Sequence, residues 1–106
     1  METIPRDPTR KTELSPGIFK TPKVKTDALE VLELELAPGA ALEAHDMPCF
    51  VTFFAIEGTG TFTYGDRVVK VPAGDMVRAE TGTVRFWANR GDVTLRLLVI
   101  KSLGEK

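Results

Sequence analysis

Short period-two segments separated by turn residues are the feature that most constrains the fold of this chain. The clearest is residues 30–36, EVLELEL. Its leucines share one face of a predicted strand, and Glu33 and Glu35 share the other, which we expect to be solvated. Further segments of this kind follow at similar spacing, and no stretch has helical periodicity. The sequence therefore predicts an all-β sandwich or barrel.

Turn residues divide the remainder of the chain. Pro38 and Gly39 end the first strand, and Gly65 and Asp66 join two segments as a hairpin. The predicted strands after this first one include 61–64, 67–71, 76–79, 84–88 and 93–100. Only glycine takes positive φ at no steric cost, so the glycines of these turns are expected to supply sharp changes of direction.

Length, composition and charge exclude several classes of protein. A chain of 106 residues with 42% hydrophobic and 27% charged residues suits one globular domain. A net charge of -1 argues against a nucleic-acid partner, which would need clustered Lys and Arg. One cysteine cannot form an internal disulfide, and no leader-like or membrane-spanning run is visible. We therefore expect a cytoplasmic protein with no membrane partner.

The first 26 residues differ from the others. They hold four of the seven prolines and six basic against three acidic residues, whereas residues 27–106 hold eight basic and twelve acidic ones. We therefore divide the chain into an extended, basic N-terminal arm, 1–26, and a barrel domain, 27–106. Two interpretations of the arm stay open. It is a frayed terminus, or it packs across an acidic partner subunit and covers a sheet edge in a homodimer.

The stretch 39–58, GAALEAHDMPCFVTFFAIEG, carries the chain's only histidine, His45, and its only cysteine, Cys49. Its spacing resembles the first motif of the cupin superfamily, in which a glycine precedes two histidines two residues apart, a glutamate and a closing glycine. Both glycines and His45 are in register with that motif. Met47 occupies the position of the second histidine of the motif, and Val51 occupies the position of the glutamate.

A second cupin-like motif spans residues 74–89, GDMVRAETGTVRFWAN. Gly74, Gly82 and Asn89 fit this motif. Glu80 occupies the position where the family usually has a proline, and Arg85 occupies the position of the last metal-binding histidine. The resemblance covers 29–100 and implies a double-stranded antiparallel β-barrel of the cupin or jelly-roll type. Because three of the four family ligands are replaced, we expect no metal and no other cofactor.

Alternation and the match of His45 to a family ligand indicate which side chains face the barrel interior. A guanidinium at position 85 cannot ligate a cation but suits a carboxylate or phosphate. The candidate ligand-binding residues are His45, Met47, Cys49, Arg85 and Trp87.

Each candidate residue also has a structural interpretation. His45 and Cys49 can be inert buried residues, and Trp87 can belong to the core. Arg85 can form an ion pair, with Glu80, Glu57 or Asp46 as the candidate partners. A Cu(I) site built from His45, Met47 and Cys49 is a further alternative.

Three functions are compatible with these features. The first is a non-catalytic module that binds a small anionic or sugar-like ligand, or that serves in assembly. The second is a metal-independent isomerase or epimerase with His45 as general base and Tyr64 or Arg85 as its partner. The third is a metal-dependent dioxygenase, whose iron would lack its usual ligands.

Overall fold

The computed structural model describes residues 1–42, 49–80 and 84–104. These residues form ten strands in two antiparallel sheets. The strands are β1 (Thr12–Ser15), β2 (Ile18–Lys25), β3 (Leu29–Leu36), β4 (Ala41–Leu42), β5 (Phe50–Glu57), β6 (Thr59–Tyr64), β7 (Arg67–Pro72), β8 (Met76–Ala79), β9 (Arg85–Ala88) and β10 (Leu95–Ser102). The larger sheet has the order β1-β2-β3-β10-β5-β8 and the smaller one β4-β9-β6-β7. The predicted all-β fold is confirmed. No helix among the described residues has the length and apolar character needed to cross a membrane.

The core lies between the inner faces of the two sheets. The alternating leucines of β3 are buried there, as predicted, and they pair with buried residues of β10: Leu32 with Val99, Leu34 with Leu97 and Leu36 with Leu95. Three aromatic rings fill the centre. The ring centroids of Phe53 and Trp87 are 5.3 Å apart, and those of Phe62 and Trp87 are 4.7 Å apart. Each large apolar side chain buried in this way contributes roughly 1.5–3 kcal/mol.

Gly58 makes the tight connection between β5 and β6. Its φ is +80°, and a Cβ at this position would lie 2.7 Å from the carbonyl oxygen of Thr94. Both the backbone conformation and the close approach therefore require glycine. Gly39, at the other end of the predicted core stretch, also has positive φ, +86°.

The N-terminal arm is extended, and part of it pairs with its own chain. After a 3-10 turn at Pro8–Arg10, β1 and β2 form a hairpin, and β2 runs antiparallel to β3. Ile18 is only 1% exposed, so it belongs to the core. The frayed-terminus interpretation is thus wrong for β2, and the boundary predicted at residue 26 falls between two paired strands. A homodimer formed through the arm and a sheet edge stays a prediction.

The outer face of the larger sheet differs from its prediction at Glu33. This side chain was expected in solvent but is 6% exposed. Arg96 of β10 donates to Glu33 Oε1 from Nε at 2.8 Å and from Nη2 at 2.6 Å, while Lys23 Nζ lies 3.7 Å from Oε2. Long cationic side chains from both neighbouring strands cover the carboxylate. The hydrogen bond with Glu33 raises the pKa of Arg96, which keeps the guanidinium charged.

Glu33→Ala is expected to lower the free energy of unfolding by about 1–3 kcal/mol, because it leaves Arg96 partly buried without its main acceptor. Glu35→Ala is the matched control on the same face of β3. Its partner Lys11 lies 3.3 Å away and is more exposed than Arg96, so the loss should be about 0–1 kcal/mol. Urea unfolding of both variants measures the difference. Equal losses would contradict a structural role for Glu33.

Candidate ligand-binding cavity

A cavity of about 220 Å³ lies between the sheets. The larger sheet contributes most of its wall, and β4 and β9 of the smaller sheet contribute the opposite side. The lining residues are Leu14, Lys20, Leu32, Leu34, Leu42, Val51, Phe53, Arg85, Phe86, Trp87, Val99 and Lys101. Arg85 and Trp87, two of the predicted ligand-binding residues, are therefore brought together on one wall.

Arg85 begins β9, and its side chain is buried, with 4% exposure. Its Nη1 donates to the backbone carbonyl of Glu80 at 2.8 Å. Its Nη2 is buried and has no hydrogen-bond partner within the described part of the chain. Of the predicted ion-pair partners, Glu80 offers its carbonyl, and the carboxylate of Glu57 lies 3.5 Å from Arg96 instead. Asp46 lies outside the described residues.

Trp87 presents a second buried donor. The residue is 2% exposed, and its indole Nε1 finds no acceptor among the described residues. A Cβ at Gly60 would lie 2.5 Å from Trp87 Cζ3 and 2.7 Å from Cε3. The six-membered ring thus packs against the backbone of β6, and Nε1 lies on the opposite edge of the indole. The absence of a side chain at position 60 is what permits this ring position.

Lys20 and Lys101 add positive charge from the larger sheet. Lys20 pairs in register with Leu34, and Lys101 pairs with Val51, both buried on the inner face. Directly opposed residues share a face, so both lysines are on the inner side of their strands. Lys101 Nζ lies 3.7 Å from Glu30, which offsets part of its charge.

The charged side chains among the described lining residues of the cavity are therefore all positive. Its three cations, Arg85, Lys20 and Lys101, face no acidic side chain among the described lining residues. Coulombic interactions are strong in a partly desolvated space, so this arrangement favours anions.

Sequence reasoning missed both lysines as lining residues. A period-two count would have found them, because Lys20 stands two residues after the buried Ile18 and Lys101 two residues after the buried Val99. The alternation does not show, however, that the two strands line the same cavity.

The remaining predicted site residues lie elsewhere or outside the described chain. Cys49 is a free, buried thiol in the core cluster and does not line this cavity. Tyr64 pairs with Arg85 in register, but it lines a second cavity beside β7 and β8. His45 and Met47 lie outside the described residues, so their predicted roles stay predictions.

The described wall of the cavity does not fit a metal cation. Its lining side chains offer no imidazole, carboxylate or thiolate, and Arg85 places a positive charge on the wall. Within residues 1–42, 49–80 and 84–104, no three His, Cys, Asp or Glu side chains form a group that could hold a metal ion. The alternative Cu(I) site depends on two residues outside these ranges.

Two packed antiparallel sheets around a central cavity define a double-stranded β-barrel protein. The family model of the cupin domain matches residues 32–101 of the sequence, and the chain belongs to the cupin family. No curated protein sequence matches the chain significantly.

Several solved structures share the fold. An RmlC-like cupin from Shewanella frigidimarina has a TM-score of 0.84 and 13% identity, over 96% of this chain and 91% of that one. KdgF from Halomonas sp. has a TM-score of 0.79 and 15% identity, over 87% and 84% of the two chains. A predicted oxalate decarboxylase from Thermotoga maritima has a TM-score of 0.78 and 19% identity, over 88% and 90%. At these identities the likeness shows the fold, and function has to be argued from the cavity.

Proposed function

We propose that this protein is a non-catalytic binding module that holds a small anionic ligand in the cavity between its sheets, with Arg85 as the anchoring residue. The observation that carries the proposal is the buried Nη2 of Arg85, which has no partner among the described residues. A buried donor left unsatisfied costs about 1–3 kcal/mol, and more when it is charged. An anion in the cavity would supply the missing acceptor.

The geometry of Arg85 suits this role. The hydrogen bond from Nη1 to the Glu80 carbonyl fixes the plane of the guanidinium. A planar, fixed guanidinium pairs well with a carboxylate or phosphate, and charge-assisted hydrogen bonds are roughly twice as strong as neutral ones. Lys20 and Lys101 add to the positive potential of the same cavity.

Binding is preferred to acid–base catalysis because of what lines the wall. Proton transfer needs a titratable group with a pKa near the working pH, held within reach of the substrate. The described lining offers only Lys and Arg as ionisable side chains, and Tyr64 lies on the other cavity. These placements support a binding role. Of the two partners predicted for His45, only Arg85 lines this cavity.

Thermal unfolding in the presence of acetate, benzoate and inorganic phosphate tests the proposal. At least one of these anions is expected to raise the Tm of the parent protein. Arg85→Met should weaken that binding about 10- to 100-fold, the equivalent of losing a charge-assisted hydrogen bond. Arg96→Met, which removes the same group from the outer face, should retain the shift. Equal shifts in the parent and in Arg85→Met, or no shift with any anion, would refute the proposal.

A further inference from the structure

The hydrogen-bonding side chains among the described lining residues of the cavity are all donors. The polar side-chain atoms among the described lining residues belong to Arg85, Trp87, Lys20 and Lys101, and none of them can accept a hydrogen bond. A sugar hydroxyl both donates and accepts. A hydroxyl that contacts only these side chains would leave its own hydrogen unpaired, at a cost of about 1–3 kcal/mol. A carboxylate only accepts, so it matches the wall.

The body of the ligand has to match an apolar surface. Nine of the twelve lining residues are aliphatic or aromatic. Phe53, Phe86 and Trp87 supply aromatic surface, which favours a flat or branched hydrocarbon. The polar donors are a minority, which is the usual composition of a site that binds an apolar body and orients it by one polar group.

The size of the cavity limits the ligand to a compact one. An engineered protein cavity of about 150 Å³ holds benzene. The cavity described here, at about 220 Å³, therefore has room for one ring and a carboxylate. Arg85 and Trp87 are two residues apart on β9, and their Cα atoms are thus separated by about 6.6 Å. One small ligand can reach both side chains.

From these three observations we infer that the ligand is a compact carboxylate with an apolar, ring-sized or branched body, which the described wall favours over sugars and sugar acids. The carboxylate pairs with the free Nη2 of Arg85, with Trp87 Nε1 as a second donor. The hydrocarbon body contacts the aromatic and aliphatic wall. This inference rests on the proposed function and adds the chemical class of the ligand.

Isothermal titration calorimetry with three compounds tests the inference. Benzoate has both the carboxylate and the apolar ring, glucuronate keeps the carboxylate on a hydroxylated ring, and benzamide keeps the ring without the charge. Benzoate is expected to bind at least 10-fold more tightly than either of the others. Arg85→Met should reduce benzoate binding to the level of benzamide. Arg85→Gln, which retains a donor for the Glu80 carbonyl, should do the same and serves if the first variant folds poorly.

The outcomes separate this inference from the proposed function. If glucuronate binds as tightly as benzoate and depends on Arg85, the inference is overturned and anion binding stands. If benzamide matches benzoate, or if neither carboxylate binds, the inference is overturned. Anion binding is overturned with it only if acetate and inorganic phosphate also fail to give a Tm shift that depends on Arg85. Tight benzoate binding that is lost in both Arg85 variants supports both.

Discussion

Replacing Arg85 with methionine is expected to raise the free energy of unfolding of the ligand-free protein by about 1–3 kcal/mol, although it removes ligand binding. The guanidinium is buried, and no carboxylate of the described residues lies within ion-pair distance of it. Within the described residues, its cost of desolvation is therefore offset only by the hydrogen bond to the Glu80 carbonyl. Methionine has an apolar, flexible side chain that fits the surrounding hydrocarbon wall. Glu80 is exposed, so water can replace the lost hydrogen bond to its carbonyl.

Urea unfolding without ligand measures this effect, with Arg96→Met as the matched control. Arg96 covers the buried carboxylate of Glu33, so its loss should lower stability by about 1–3 kcal/mol. The two Arg→Met changes are thus expected to have opposite signs. A loss of stability in Arg85→Met that equals the loss in Arg96→Met would mean that Arg85 is a structural residue.

Added ligand should reverse the order of stability of the parent protein and Arg85→Met. A ligand at 100 times its Kd stabilises a protein by about 2.7 kcal/mol. Benzoate at saturating concentration is therefore expected to make the parent at least as stable as Arg85→Met, whose unfolding should not respond to it. A variant that gains as much from benzoate as the parent would contradict the assignment of the anion to Arg85.

Asn89→Ala is expected to lower the free energy of unfolding by about 2–4 kcal/mol. The side chain is 1% exposed and makes three hydrogen bonds to backbone. Its Nδ2 donates to the carbonyls of Leu36 and Val93, both at 2.8 Å, and its Oδ1 accepts from the backbone N–H of Gly91 at 3.0 Å. These bonds tie the end of β3 to the turn before β10. Alanine would leave all three backbone groups without this partner.

Asp92→Ala is the control for Asn89→Ala, because it lies in the same turn and is exposed. Its effect should stay within about 0.5 kcal/mol, as is usual for a surface substitution away from buried features. Urea unfolding at one pH compares the two variants. Similar small losses would show that the hydrogen bonds of Asn89 are replaced by water and do not hold the turn.

The strands and turns were largely predictable because their signals are local. A period-two pattern depends only on the side chains of one segment, so the inner face of β3 could be predicted from alternation. The direction of Arg85 and Trp87 needed the resemblance to the cupin motifs in addition. The glycines at positions 39 and 58 were predictable for the same reason, since positive φ is a property of a single residue. The residue spacings within two motifs, which resemble those of cupins, then predicted the barrel.

The charged positions were not predictable in the same way. Glu33 has the local pattern of a solvated residue, and it is buried because Arg96, 63 residues later in the chain, lies on the neighbouring strand. Lys20 and Lys101 are 81 positions apart in the sequence and reach one cavity because β2 and β10 flank β3. Alternation assigns a side chain to a face, but it does not identify the strand beside it.

By itself, then, the sequence determined the all-β class and most of the strand positions, because these follow from one segment at a time, and its resemblance to the cupin motifs added the inward direction of Arg85. The tertiary structure alone decided that the Nη2 of Arg85 has no partner among the described residues, that a cavity lies beside it, and that two lysines share that cavity. Those properties depend on which distant segments pair and in what register. That pairing is determined by the burial and hydrogen bonding of the whole chain, so it cannot be predicted from the pattern of one segment.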